Sequence, residues 1–174
     1  MPEPLIRPET PADGAAIAQV LRQAFPGPQE AALVEQLRRR PDFRPALSLV
    51  AEVAGTVVGY VLLTPIAIEP VAGPPTLSLA LAPVAVQPAW QRQGIGARLV
   101  EAGLVAGGAA GFGSVILLGH PDYYPRFGFG PASRWGIRAP FAVPDAAFMA
   151  RELQPGALAA AAGTVRYPAE FAAV

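Results

Sequence analysis

The stretch from Leu81 to Leu104 places an apolar run, a glycine-containing loop and an amphipathic pattern in direct succession. The apolar run ends in Val84-Ala85-Val86 before Pro88, and residues 91–96 (QRQGIG) lead into the amphipathic segment. This order predicts a strand, a tight loop and the start of a helix. Free backbone N–H groups and the positive end of the helix dipole suit phosphate oxygens. The stretch therefore predicts a site for a phosphate-bearing cofactor.

The composition excludes several kinds of chemistry. The 174 residues are 52% apolar and 15% charged, which favours one folded domain over a disordered chain. Thirteen basic and thirteen acidic residues cancel, so no overall field attracts nucleic acid or an anionic membrane. Because every basic residue is Arg, a lysine Schiff base and a P-loop lysine are excluded. Without Cys, and with His120 as the single histidine, disulfides, thiolate nucleophiles and multi-histidine metal sites are excluded as well.

The sequence also bears on location. Its N-terminus has no basic region followed by an apolar stretch, so no signal peptide is predicted. Gly, Pro or charged residues interrupt every apolar run before the roughly 18–20 residues needed to cross a bilayer. We expect a soluble, cytoplasmic protein with neither membrane nor nucleic-acid partners.

Hydrophobic periodicity and turn residues divide the chain into short elements. In chain order, we predict a strand at 5–7, a helix from Thr10 to about residue 25, a second helix after residues 26–28, a hairpin of strands 47–53 and 56–68, a strand at 76–86, a helix over 94–106 ended by Gly107 and Gly108, a strand at 114–118, a short helix, and strands near 147–153 and 164–167. The run Arg38–Arg40 is expected to be a solvated helix end. The order predicts one α/β (α+β) domain with a mixed, mostly antiparallel sheet and one central strand–helix–strand crossover.

Three kinds of phosphate loop compete for residues 91–96. A P-loop requires a lysine that the chain lacks. A dinucleotide fingerprint requires a third glycine where Leu99 stands, and it follows the first strand rather than the fourth. The third kind, Q/R-x-x-G-x-G/A, binds the pyrophosphate of coenzyme A, and residues 91–96 match it fully.

Two blocks carry a resemblance to a known family: PVAVQPAWQRQGIGARLV (Pro83–Val100) and LGHPDYYPRFGFGPA (Leu118–Ala132). With them the chain resembles the Gcn5-related N-acetyltransferases (GNAT), and within these the bacterial YhbS-like predicted acetyltransferases. A looser match covers Pro28–Arg38 and Phe148–Phe171. The resemblance implies one acyl-CoA N-acyltransferase domain over residues 1–174. It also implies splayed central strands with flanking helices, acetyl-CoA as co-substrate, and no metal.

The resemblance further implies a role for each residue of the first block. The N–H of Val84 would polarise the thioester carbonyl, as an oxyanion-hole donor does. Ala85 and Val86 would pair with the pantetheine arm as an added strand would. The pyrophosphate would be held by the backbone amides of the loop and the first helical turn, namely Gln91, Arg92, Gln93, Gly94, Ile95, Gly96 and Ala97.

The second block contains a candidate general acid. Many GNAT enzymes protonate the leaving thiolate with a Tyr in a Y-x-x-x-G-F context, which Tyr124 to Phe129 matches. A phenol with a pKa near 10 is protonated at neutral pH. The alternative is that Tyr124 only packs against the pantetheine or the core. Tyr123 is spaced one residue too far from Gly128.

The general base is left open. Glu30 lies in the helix–loop region that lines the acceptor side in this family, while Glu52 and Glu69 on the hairpin, or a water chain, are alternatives. His120 and Arg126 are each interpreted either as ligand contacts or as structural residues.

The resemblance implies transfer of the acetyl group of acetyl-CoA to a primary amine of a small molecule or peptide. The alternatives are another acyl-CoA donor, an oxygen acceptor, or a non-catalytic acyl-CoA-binding or regulatory module. A nucleotide-binding α/β domain is a third reading. A homodimer is possible, and the sequence names no acceptor.

Overall fold

The computed structural model describes residues 2–174. Its strands are β1 (Leu5–Pro8), β2 (Ser48–Val53), β3 (Thr56–Glu69), β4 (Thr76–Val86), β5 (Ser114–Leu118), β6 (Gly130–Pro131), β7 (Ile137–Arg138), β8 (Phe148–Glu152) and β9 (Gly163–Arg166). Its α-helices are α1 (Gly14–Ala24), α2 (Gln29–Arg38) and α3 (Ile95–Ala109). Within residues 2–174, no helix combines the length and the apolar character that a membrane crossing requires.

The strands form one sheet with hydrogen-bonded neighbours in the order β1-β2-β3-β4-β5-β8-β6, while β9 pairs with β3 and β7. β4 and β5 pair in parallel at Leu79–Val115 and Ala80–Ile116, and α3 connects them. β1–β2, β2–β3, β3–β9, β5–β8 and β6–β8 are antiparallel. The predicted mixed, mostly antiparallel α/β sheet is confirmed.

Two compact units make up the chain. The first comprises the residues up to Thr64, together with Ala82–Ala106 and Ala169–Val174. The second comprises Pro65–Leu81 and Gly107–Pro168. β3 and β4 each contribute residues to both units. The single domain over residues 1–174 stays a prediction.

Some boundaries differ from the sequence prediction. Helix α3 continues through Gly107 and Gly108 to Ala109, so these glycines do not end it. A glycine inside a helix costs only about 1 kcal/mol, which packing of the helix can offset. Strands β6 and β7 have two residues each and were not predicted, because two residues are too few to show a periodic pattern.

The core of the first unit explains the positions of α1 and α2. Each helix buries one stripe of aliphatic side chains at three- and four-residue spacing. These stripes pack against β2, β3 and the end of β4, in a cluster that includes Ile17, Val20, Leu21, Leu33, Val34, Leu37, Val50, Tyr60, Leu62 and Ala85.

Ion pairs anchor the ends of both helices. The Arg7 guanidinium donates to both carboxylate oxygens of Asp13, at 2.8 and 3.1 Å, and to Glu52 at 2.7 Å. Since Arg7 lies on β1, Glu52 on β2 and Asp13 just before α1, the three groups join the helix to the sheet edge. Hydrogen bonds from Arg7 and from the Thr10 N–H outweigh burial and hold the pKa of Asp13 at about 2.

The arginines at the end of α2 form ion pairs. Arg38 pairs with Glu9 at 2.9 Å, and Arg40 pairs with Asp42 at 2.9 Å and Glu170 at 3.0 Å. The expectation of a solvated helix end is therefore wrong for these two side chains, which are half-buried and ion-paired. Glu9 and Glu170 are distant in sequence from the arginines that they hold, whereas Asp42 is close to Arg40.

The depressed pKa of Asp13 predicts a pH-dependent contribution to stability. This contribution is present in full above the unfolded-state pKa near 4, and it is lost as the pH falls through about 2. Asp13→Asn should lower the free energy of unfolding at pH 7 by about 2 kcal/mol. Urea unfolding at several pH values should show the difference from the wild type shrinking between about pH 4 and pH 2.

The exposed Asp145 provides the control, since Asp145→Asn removes a carboxylate that has no ion pair within residues 2–174. It should leave stability almost unchanged. A deficit of Asp13→Asn that is the same at pH 7 and pH 3 would contradict the ion-pair explanation.

Candidate active site

The junction between β4 and α3 has the predicted strand–loop–helix form. A short 3₁₀ turn at Pro88–Trp90 follows β4, residues 91–94 form an exposed loop, and α3 begins at Ile95. The loop is fixed by its own side chains. The Gln91 amide donates to the Val86 carbonyl at 2.9 Å, and the Gln93 amide donates to the Ala89 carbonyl at 3.4 Å.

The loop presents unoccupied hydrogen-bond donors. Within residues 2–174, no backbone N–H from residue 92 to residue 97 donates to an acceptor. The first bond of the helical turn is from the Arg98 N–H to the Gly94 carbonyl, at 3.1 Å. The positive end of the α3 dipole lies at the same place. This arrangement suits a group with several anionic oxygens, such as a pyrophosphate.

Gly94 has a conformation that other residues avoid. Its φ is +82°, in the left-handed region, and Arg92 before it has a φ of +62°. No atom lies within 4 Å of the place where a Cβ of Gly94 would be, so the backbone is open to a ligand there. Glycine suits this position because the turn needs a positive φ and because a ligand can then approach the backbone. Packing against other protein atoms does not require it.

The end of β4 lies in the same unit as this loop. Ala85 is buried against the α1–α2 core, while Val84 and Val86 alternate with it and are half-buried. The Gln87 N–H donates to the Val58 carbonyl at 2.8 Å, which holds the end of β4 on β3. The structure thus brings residues 84–86 and 91–97 together in the first unit. The oxyanion role of the Val84 N–H stays a prediction.

Tyr124 lies in the second unit, at the start of the short 3₁₀ helix Tyr124–Phe127. Its ring packs edge-on against Tyr123 at 5.1 Å and Phe129 at 6.0 Å between ring centroids. Within residues 2–174, its hydroxyl makes no hydrogen bond. Burial, with a smaller contribution from Tyr123, raises the pKa of Tyr124 above its usual value of 10. The phenol is therefore a protonated donor at neutral pH.

The absence of a side chain at Gly119 leaves room for the Tyr124 ring. The sequence analysis assigned no role to Gly119. A Cβ at residue 119 would lie 2.8 Å from the Tyr124 Cδ2 atom, which is closer than real Cβ contacts. The Gly119 N–H also donates to the Ala147 carbonyl at 2.9 Å, so its backbone cannot easily move aside. The sequence signal that could have pointed to Gly119 is its place directly after a buried strand.

The candidate bases differ in their surroundings. Glu52 and Glu69 are each held by an arginine, Glu52 by Arg7 at 2.7 Å and Glu69 by Arg166 at 2.9 Å. Glu30 is half-buried in the first turn of α2, and it has no hydrogen bond or ion pair within residues 2–174. Glu30 therefore stays the candidate among these three acids.

The two other candidate residues of the second block, His120 and Arg126, make local contacts. The His120 side chain is exposed, and its carbonyl accepts the N–H groups of Tyr123 and Tyr124. Arg126 lies over the Tyr123 ring at 4.3 Å and donates to the Tyr123 carbonyl at 2.9 Å. Both residues stabilise the short helix. No group of three or more His, Cys, Asp or Glu side chains that could hold a metal ion lies within residues 2–174.

The chain is similar to known proteins over these two blocks and well beyond them. The acetyltransferase (GNAT) domain family matches residues 44–131. The uncharacterized N-acetyltransferase YhbS of Escherichia coli K12 is 35% identical over 168 residues, which cover 96% of this chain and 98% of YhbS.

Two solved structures are similar over almost the whole chain. The crystal structure of E. coli YhbS in complex with CoA has a TM-score of 0.91 at 34% identity, covering 99% of this chain and 93% of that one. A GNAT family acetyltransferase of Brucella melitensis in complex with acetyl-CoA has a TM-score of 0.79 at 33% identity, covering 98% and 99%. On the family match and this full-length similarity, the chain belongs to the GNAT acetyltransferase family.

Proposed function

We propose that this protein transfers the acetyl group of acetyl-CoA to a primary amine. The unoccupied N–H groups of residues 92–97, between β4 and α3, carry the proposal. They offer the several hydrogen-bond donors that the oxygens of a pyrophosphate require. Two similar proteins were crystallised with CoA or acetyl-CoA.

The first unit supplies the cofactor contacts in this proposal. The N–H groups from Arg92 to Ala97 bind the pyrophosphate, where Gly94 leaves the backbone open. The expected Gln91 N–H is not free, because it donates to the Pro88 carbonyl at 3.4 Å. Backbone groups of Ala85 and Val86 pair with the amides of the pantetheine arm. The Val84 N–H donates to the thioester oxygen and stabilises the negative charge that develops on it.

The proposed reaction is a direct attack. The amine nitrogen forms a bond to the acetyl carbon, and the carbon–sulfur bond then breaks to release the coenzyme A thiolate. Tyr124 donates its phenolic proton to that thiolate: its hydroxyl is free of other hydrogen bonds, and burial keeps the phenol protonated at neutral pH. Glu30, directly or through water, accepts the proton that the amine loses.

Release of coenzyme A tests the proposed activity. The purified protein is incubated with acetyl-CoA and a panel of primary amines, and the free thiol is measured. Calorimetry measures the binding of acetyl-CoA alone. Thiol release that depends on an amine supports the enzyme, whereas binding without turnover on any amine favours a non-catalytic acyl-CoA-binding module. Absence of binding would overturn the cofactor assignment.

Gly94→Ala should weaken acetyl-CoA binding by roughly tenfold. A methyl group makes the left-handed conformation cost about 1–2 kcal/mol, so the loop relaxes away from the geometry that presents its N–H groups. Calorimetric titration with acetyl-CoA measures the change in Kd.

Gly55 offers a matched control for this substitution. It has the same φ of +82° in the β2–β3 turn, and no atom lies within 4 Å of its Cβ position. Both alanine variants should lose similar stability, yet only Gly94→Ala should lose affinity. Equal affinities would show that the loop does not bind the cofactor.

Tyr124→Phe should lower kcat by roughly 10²-fold with little change in the Kd for acetyl-CoA, because it removes only the proton donor. Tyr123→Phe removes a neighbouring hydroxyl and should keep kcat within about a factor of three of the wild type. An unchanged kcat for Tyr124→Phe on an amine that the wild type acetylates would refute the general-acid role.

Gly119→Ala should also lower kcat, by roughly tenfold, because the added methyl group displaces the ring of a correctly protonated Tyr124. The pH profile of kcat should keep its shape, since the acid itself is intact. A kcat equal to that of the wild type would show that the ring position is not critical. Circular dichroism checks that the variant folds.

A further inference from the structure

Arg92 in the cofactor loop has a backbone conformation that arginine avoids. Its φ is +62°, and within residues 2–174 the one other non-glycine residue with a positive φ is Ala54. A side chain in this left-handed region crowds its own backbone, and glycine adopts it without that cost. Strain of this kind is concentrated at functional sites. The turn alone would favour glycine at position 92, so the turn does not explain the arginine.

The Arg92 side chain is available to a ligand. It is exposed, and it makes no hydrogen bond or ion pair within residues 2–174. The side-chain amides of its two neighbours, Gln91 and Gln93, are instead bonded to backbone carbonyls of the protein. Arg92 is also the one charged residue between positions 87 and 97. The loop therefore presents a single cation beside its unoccupied N–H groups.

Coenzyme A carries two separate phosphate groups, its pyrophosphate and a 3′-phosphate on the ribose. In the proposed function the N–H groups of residues 92–97 bind the pyrophosphate, so the 3′-phosphate has no partner among them. A phosphate monoester has a charge of about −1.5 to −2 at neutral pH. A guanidinium suits such a group, because its planar fork can donate two parallel hydrogen bonds to phosphate oxygens.

We propose that the Arg92 side chain binds the 3′-phosphate and thereby makes the site prefer CoA to dephospho-CoA, which lacks this phosphate. The inference rests on the proposed function, since the pyrophosphate must lie at the same loop for the 3′-phosphate to come within reach of Arg92. Contact between the guanidinium and the phosphate then offsets the strain of the positive φ. Arg92 is thus a specificity-determining residue, in addition to the backbone donors of the loop.

Arg98 separates a specific contact from a general effect of charge. It is exposed in the first turn of α3, and it has no ion pair within the part of the chain that the structure describes. Its side chain lines an open groove that residues 4–8 also line. Loss of either arginine removes one positive charge close to the loop. Only the loss of Arg92 should change the preference for the 3′-phosphate.

Arg92→Asn removes the guanidinium and leaves the turn intact, because asparagine adopts the left-handed region more readily than most residues. Calorimetry on the full chain measures the Kd of CoA and the Kd of dephospho-CoA. The wild type should bind CoA roughly tenfold more tightly than dephospho-CoA. In Arg92→Asn this preference should fall to about twofold or less, whereas Arg98→Gln should keep it.

Arg92→Gly tests whether the side chain serves the fold or the ligand, and Ala54→Gly is its matched control. Each variant places glycine at a positive φ, +62° and +48° respectively. Both variants should unfold at a temperature equal to or above that of the wild type, because the strain is removed. Only Arg92→Gly should lose the preference for CoA.

Equal affinities of the wild type for CoA and dephospho-CoA overturn the proposal and leave the proposed function intact. An Arg92→Asn variant that loses the same factor for both ligands also overturns it, since the guanidinium then acts on the pyrophosphate. A loss of preference in Arg98→Gln shows a general charge effect and overturns it as well. A wild type that binds neither ligand overturns both the proposal and the cofactor assignment.

Discussion

The free donors ahead of α3 depend on the burial of that helix. Leu99, Val100 and Leu104 are almost inaccessible to solvent, and this inner stripe fixes where the helix begins. A helix must leave its first N–H groups without intrahelical partners. Residues 92–94, whose N–H groups are also unoccupied, are exposed, so water can solvate these loop donors at little cost when no ligand is present. Packing behind the loop thus permits a binding surface in front of it.

The sequence predicted this junction well because two independent signals agree there. Apolar periodicity placed the strand and the helix, and the glycine spacing placed the loop between them. Gly94 lies in this loop with a positive φ, which glycine adopts without steric cost. The same glycine logic failed at Gly107 and Gly108, where the helix continues. A glycine permits a turn without requiring one, so local sequence alone could not decide the helix end.

Contacts between distant residues explain the other limits of sequence reasoning. Glu30 was preferred in the sequence only for its place in the family, and the fold adds that Arg7 and Arg166 hold the alternatives Glu52 and Glu69. The packing of Tyr124 on Gly119 was likewise invisible, because spacing does not reveal which way a ring turns. Membership of the family identifies no acceptor, because a shared fold does not fix the side chains that would recognise one.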